Sequence, residues 1–162
     1  MFTAQSPADI PTKEQLLSLS GLEFMQGIRD GTIPGPPIAK VLNYRVDAVE
    51  KGHVVFRGTP LFDHCNPMGG THGGWYGTLL DSCMACAVMT MLPRGQIYTT
   101  LEYKVNLIRA IPTGTEILAI GQIDHCGRST AVAHGEIRGA TDDRLYATGT
   151  TTCLVMAPNA QT

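Results

Sequence analysis

The second half of the chain alternates apolar and polar side chains with the period of a β-strand. In its first segment, residues 100–107, apolar side chains occupy the odd positions and polar ones the even positions. Turn-forming residues at 112–114, 125–127 and 141–143 divide the remainder, so the pattern predicts three or four strands. Because the turns are short, neighbouring strands are expected to be antiparallel.

The most apolar stretch, residues 73–92, lacks this alternation and carries a single charge, Asp81. Its length suits a membrane span, but a carboxylate at the centre of a bilayer is costly. The stretch also contains the aliphatic hydroxyls of Thr78, Ser82 and Thr90 and is not flanked by a cluster of basic residues. The pattern therefore favours a helix that is buried on nearly every side inside a protein, and the Pro-Arg-Gly segment 93–95 is expected to end it.

The N-terminal segment shows helical signals. Thr12 and Gln15 have the spacing of a capping box, and the pair 20–21, Ser-Gly, is expected to separate two short helices. The proline-rich segment 32–37 predicts a stiff connector.

Between this connector and the central helix, residues 38–49 and 53–59 are strand-like and predict a hairpin. One buried helix amid five or six antiparallel strands is an α+β architecture in which the sheet curls around the helix. We therefore divide the chain into an N-terminal helical extension and linker, residues 1–37, and one domain, residues 38–157.

Composition narrows the class of protein. The 162 residues are 43% hydrophobic and only 16% charged, which predicts apolar surface hidden in an oligomer. The net charge is −2 and no basic run occurs, so nucleic-acid binding is not expected. Five cysteines without a preceding secretory signal indicate a reduced, cytoplasmic protein with free thiols.

The chemistry concentrates where the central helix begins. Gly73 and Gly74 would let a ligand approach the first backbone amides of the helix, and such amides can stabilise an oxyanion. Asp81 lies eight positions later, about 12 Å along an ideal helix, so one carbonyl cannot contact both groups of one chain. If both act on one thioester, they come from two chains of a two-fold dimer with antiparallel helices.

The segment Asn66, His72-Gly73-Gly74 and Asp81 resembles the signature of hotdog-fold acyl-CoA thioesterases of the PaaI type. Residues 99–106, 127–130 and 147–150 extend the resemblance to roughly 41–156. It implies a hotdog fold, with the antiparallel sheet wrapped around the long central helix. It also implies hydrolysis of an acyl-CoA to a carboxylic acid and CoA.

The family's residue roles carry over as expectations. The Gly73 amide would bind the thioester oxygen, with Asn66 assisting from the same loop. Asp81 of the other chain would be the general base or the nucleophile. Thr100 matches a family Ser/Thr that holds the attacking water, and His72 would orient the loop.

The resemblance also implies which residues contact CoA and how the chains assemble. Arg128 and Ser129, in the turn that begins at Gly127, lie where the family often contacts the CoA nucleotide. The implied assembly is a homodimer that forms the active site and pairs into a homotetramer. No cofactor or metal is implied, since CoA is part of the substrate, and neither nucleic acid nor a membrane is an expected partner.

Two other functions stay open at this point: a hotdog enoyl hydratase or dehydratase using His72 and Asp81, and a non-catalytic acyl-CoA-binding protein. Each residue also has a purely structural interpretation. Cys83 and Cys86 are expected to be buried thiols, and a metal site at 64–72 is disfavoured by the spacing of its ligands. Several large side chains are candidates for either an acyl pocket or the core (Trp75, Tyr76, Met84, Met89 and Met91).

Overall fold

The longest helix of the protein, α4 (Gly73–Met89), packs against a six-stranded antiparallel sheet in the computed structural model, which describes residues 2–158. The strand order is β1-β2-β4-β5-β6-β3, and α4 contacts every strand from β2 to β6. The strands are β1 (Tyr44–Glu50), β2 (His53–Gly58), β3 (Ile97–Leu107), β4 (Ile117–Cys126), β5 (Thr130–Gly139) and β6 (Leu145–Met156). The predicted α+β hotdog architecture, a sheet around one helix, is confirmed.

Burial on most sides explains why α4 is apolar. Leu79, Leu80 and Met84 are almost completely inaccessible to solvent. Strand β4 crosses so near to the helix that a Cβ at Gly121 would collide with the Cys83 backbone, so glycine is required there. Within residues 2–158, no helix combines the length and the hydropathy needed to cross a membrane.

The N-terminal segment contains two further helices, α1 (Lys13–Ser18) and α2 (Gly21–Asp30). The predicted capping box is present, since the Thr12 side chain accepts from the Gln15 amide and the Gln15 side chain from the Thr12 amide. Helix α2 packs on β1 and α4, and a Cβ at Gly21 would collide with the Met89 carbonyl. The extension therefore lies directly against the central helix.

The predicted strand over 38–49 is wrong in its first part. Residues Pro37–Val41 form a short helix, α3, and β1 begins only at Tyr44. Pro37 stands at the first helical position, where its fixed φ suits a helix and its missing N–H costs nothing. Asn43, with φ of 52°, then reverses the chain direction before the strand.

Two other boundaries differ by a few residues. Helix α4 ends at Met89 and Thr90 caps it, so residues 90–92 lie outside the helix, in contrast to the predicted end at 92. Strand β4 continues through Cys126, so the predicted turn at 125–127 lies slightly later.

Candidate active site

The start of α4 presents one backbone amide to the surroundings. His72 caps the helix, and its Nδ1 accepts a hydrogen bond from the Gly74 N–H at 2.9 Å. The Trp75 N–H donates to the His72 carbonyl. Among residues 2–158 the Gly73 N–H has no partner, so it is the first-turn donor that a ligand could use.

Asn66 shapes the loop that precedes this helix. Its side-chain oxygen accepts from the Met68 and Gly70 amides at 2.9 and 3.2 Å. A backbone bond from the Asn66 N–H to the Gly70 carbonyl closes the same turn. The carboxamide oxygen is thus occupied, and the Nδ2 group is the part of Asn66 that can donate to a ligand.

Asp81 and Thr100 of the same chain are in direct contact. The Thr100 hydroxyl donates to Asp81 Oδ1 at 3.1 Å, and both residues are half-buried. Partial burial raises the pKa of the Asp81 carboxyl above its ordinary value of 3.8, and the hydrogen bond from Thr100 offsets part of that rise. The pair is a base held near a hydroxyl, which suits the activation of water.

A β-bulge turns Thr100 toward the helix. The pairing of β3 with β6 shifts register between Thr100 and Glu102, so Leu101 is an extra residue. With strict alternation, Thr100 and Tyr103 would point to opposite faces, yet Thr100 contacts Asp81 and Tyr103 packs over Gly77 of the same helix. The alternation read from the sequence missed this bulge, which re-aims the side chain as bulges beside active sites often do.

The two halves of the site lie far apart within one chain. Strand β3 runs along α4 in the opposite direction, with Leu107 near Gly73 and Thr100 beside Asp81. The eight-residue separation in a continuous helix corresponds to about 12 Å. A single chain therefore does not bring the Gly73 amide and the Asp81 carboxylate to one small group.

Strand β3 is an open edge of the sheet. Within residues 2–158 it pairs with β6 and with no other strand, and Leu101, Tyr103 and Leu107 are 57%, 47% and 55% exposed. A long edge strand that exposes apolar side chains is a ready surface for pairing with another chain. This edge borders both Gly73 and Thr100.

The turn 127–129 lies at the same end of the sheet as Thr100. Cys153 of β6 pairs with Ala131 of β5 on one side and with Thr100 on the other. Two strand spacings, roughly 10 Å, therefore separate the start of β5 from Thr100. Arg128 and Ser129 are exposed there, and the Gly127 N–H closes the turn on the Thr130 carbonyl.

A cavity of about 360 Å³ lies between the N-terminal helices and α4. Ser82, which follows Asp81, and Tyr98, two residues before Thr100, belong to its wall. Of the large side chains considered as acyl-pocket candidates from the sequence, only Met89 lines it. No pattern in the sequence indicated this cavity, because its walls come from segments distant in the chain.

The cysteines and histidines have structural environments. Burial raises the pKa of Cys83 and Cys86, the latter to about 12, so both stay protonated. His64 is buried, with Nδ1 accepting from the Leu61 N–H and Nε2 contacting the Val41 carbonyl. Across residues 2–158, no group of three or more potential ligands could hold a metal ion.

Comparison with known proteins finds a family model that resembles part of the chain. Residues 68–146 match the family model described as the thioesterase superfamily. A comparison with curated proteins finds no match.

Solved structures share the fold over most of the chain. A putative thioesterase, a phenylacetic acid degradation-related protein from Ralstonia eutropha, is 26% identical with a TM-score of 0.73, covering 81% of this chain and 98% of that one. A mutant of the phenylacetic acid degradation protein PaaI from Thermus thermophilus is 26% identical with a TM-score of 0.67, covering 73% and 97%.

The PaaI protein of the Escherichia coli phenylacetic acid degradation operon is 20% identical with a TM-score of 0.74, covering 85% of this chain and 96% of that one. At this identity the likeness concerns the fold alone. The chain is thus similar to the thioesterase superfamily over residues 68–146, and it has the hotdog fold of these PaaI-like structures.

Proposed function

We propose that the protein hydrolyses acyl-CoA thioesters at a site shared by two chains of a homodimer. The observation that carries the proposal is the half-buried Asp81 carboxylate, bonded to Thr100, on an otherwise apolar helix. Burying a charge costs free energy, so a carboxylate retained in an apolar helix is a candidate functional group. The match of residues 68–146 to the thioesterase superfamily supports thioester hydrolysis as the role of this carboxylate.

The chemistry starts with water. The Thr100 hydroxyl donates a hydrogen bond to Asp81 Oδ1. Its lone pairs are therefore free to accept a hydrogen bond from a water molecule beside Oδ2. Oδ2 takes the second proton of that water as its oxygen attacks the thioester carbonyl carbon. The raised pKa of Asp81 brings this base nearer to neutral pH, where proton transfer is more favourable.

The negative oxygen of the tetrahedral intermediate then needs a hydrogen-bond donor. The Gly73 N–H of the other chain, aligned with the dipole at the start of α4, has this role in the proposal. When the tetrahedral intermediate collapses, the carbon–sulfur bond breaks and the CoA sulfur receives the proton held by Asp81. The products are a carboxylic acid and CoA.

The dimer follows from the same geometry. The exposed apolar side chains of the β3 edge supply a contact surface for a second copy. A two-fold axis near this edge would bring the start of one α4 toward the middle of the other. Arg128 and Ser129, at the near end of the sheet, are the proposed contacts for the CoA nucleotide.

The test measures thiol release from a panel of acyl-CoAs by wild-type protein and by Asp81→Asn. We expect hydrolysis by the wild type and a loss of several orders of magnitude in kcat for the variant, with acyl-CoA binding preserved. Asp63→Asn, which neutralises an exposed loop carboxylate, is the matched control and should keep full activity. Binding without hydrolysis by the wild type would instead indicate an acyl-CoA-binding protein.

Single turnover in ¹⁸O-labelled water separates the two roles of Asp81. With Asp81 as the base, the label enters the carboxylic acid and not the protein. Label recovered in the Asp81 carboxyl would assign it as the nucleophile instead.

A further inference from the structure

The cavity between the N-terminal helices and α4, here called the chamber, has the size of a ligand site. Its volume of about 360 Å³ lies at the lower end of the range for small-molecule pockets, roughly 300–1,000 Å³. The side chains that α1 and α2 contribute are apolar (Leu16, Phe24, Met25 and Ile28). No charged side chain occurs in its wall as described by residues 2–158, so the chamber suits a hydrocarbon group.

The chamber wall includes sequence neighbours of Asp81 and Thr100, while neither of those two residues lines it. Ser82, Cys86 and Met89 line it from α4, and their spacing of four and three residues puts them on one helix face. Ser82 is the neighbour of Asp81, and its hydroxyl lies 3.2 Å from the Tyr44 hydroxyl. The polar groups thus lie at the end next to Asp81, and the apolar helices close the other end.

A second observation places the same end near the carboxylate. Tyr44 and Tyr98 both line the chamber. Burial raises the pKa of each hydroxyl, and the negative charge of Asp81 contributes further to the rise. The geometry that supports this proximity is the 3.2 Å contact of the Tyr44 hydroxyl with Ser82, the residue next to Asp81.

We infer that the chamber holds the acyl chain of the substrate, that this chain is a straight aliphatic one of medium length, and that the N-terminal helices set its length limit. The inference rests on the proposed hydrolysis of acyl-CoA. It also gives the N-terminal extension, which lies outside the matched residues 68–146, a role in specificity.

The volume of the chamber indicates which acyl groups would fill it. At about 30 Å³ for a water-sized group, the chamber holds roughly a dozen methylene-sized groups. By the same count, the eight carbons of a phenylacetyl group would leave about a third of that space empty, and unfilled apolar space forfeits contacts. An acyl chain of roughly ten carbons fills it, so the expected preference differs from the phenylacetic acid named for the structural relatives.

The first measurement is kcat/KM for straight-chain acyl-CoAs from acetyl to palmitoyl, with phenylacetyl-CoA beside them. For the wild type we expect a rise of about three- to fourfold per added methylene, from about 0.8 kcal/mol for each one buried. The rise should end near ten carbons, with phenylacetyl-CoA well below the optimum.

Two variants move the limit in opposite directions. Phe24→Ala enlarges the chamber from α2 and should shift the optimum to longer chains by two carbons or more. Ala39→Leu adds bulk from α3 and should shift it to shorter chains. Leu22→Ala, which removes a partly buried α2 side chain that packs on the core away from the chamber, is the matched control and should leave the optimum in place.

Opposite shifts cannot arise from a general loss of stability, so they support the inference. Hydrolysis with one unchanged optimum in all four proteins would overturn it while leaving the proposed function intact. If no acyl-CoA is hydrolysed, the proposed function fails. Calorimetry of acyl-CoA binding then tests separately whether the chamber is an acyl site. Tighter binding of decanoyl-CoA than of acetyl-CoA, weakened by Ala39→Leu, would support the chamber as an acyl site, and equal binding would overturn it.

Discussion

At the scale of single residues, Asp81 and Thr100 form the central pair. The Thr100 hydroxyl is the group that lowers the pKa of Asp81 against the effect of burial. Without this donor, the carboxylate loses a stabilising hydrogen bond and its pKa rises further.

In a plot of kcat/KM against pH, Thr100→Val should therefore move the acidic limb to higher pH, since the reaction needs ionised Asp81. The variant keeps the shape of the side chain and removes only its hydroxyl function. Thr99→Val, at the exposed neighbouring position, is the control and should leave the limb where it is. An unchanged limb in Thr100→Val would remove the hydroxyl from the mechanism.

The same pair links activity to stability. The pKa of Asp81 is raised in the folded chain, so the folded state keeps a proton that the unfolded state has already released. Stability therefore falls as pH rises from about 3.8 through the folded pKa, and it stays lower at neutral pH.

Asp81→Asn removes this ionisation and should raise the Tm at pH 7 while abolishing activity. The gain should vanish below about pH 3.8, where the carboxyl is protonated in both states. Thermal melts at pH 7 and at about pH 3.5 test this, with exposed Asp63→Asn as the control without a gain. A lower Tm for Asp81→Asn at pH 7 would show that the charge stabilises the fold.

At the scale of elements, the start of α4 supplies the proposed oxyanion donor. Proline at Gly73 would remove the N–H at a helical position where proline is well tolerated. His72 has φ of −65° and ψ of 138°, which is the conformation that a residue before proline prefers.

Gly73→Pro should lower kcat by about 10² to 10³ with the fold preserved, since one oxyanion donor is lost. Gly73→Ala is the matched control because it adds the same Cβ next to Leu107 and keeps the N–H. Steady-state kinetics with circular dichroism would check both. Equal activity of the two variants would exclude the amide from the reaction.

Elements also show what the sequence could and could not predict. The buried helix, its glycine start and the alternating strands were readable because each is a local pattern with its own period. The helix Pro37–Val41 falls where the sequence predicts connector and strand, because five residues are too few to show a helical period. The bulge at Leu101 depends on pairing with β6, so alternation within β3 alone could not reveal it.

At the scale of the whole molecule, the exposed β3 edge and the separation of Gly73 from Asp81 both point to a site shared by two chains. The residues of the proposed site come from the sequence and its family resemblance, and the distance along the helix predicts that two chains supply them. The chamber could not be predicted, because it forms only where α2 packs on α4 and β1 and where α1 adds Leu16 to the wall.

The most direct test of a shared site mixes two inactive proteins, Asp81→Asn and Gly73→Pro, as a purified heterodimer. In a shared site, one of the two active sites then combines Gly73 of one chain with Asp81 of the other and is intact. We predict recovery of about half of the wild-type kcat per dimer, because two-fold symmetry gives two equivalent sites. A heterodimer as inactive as either parent would contradict a shared site.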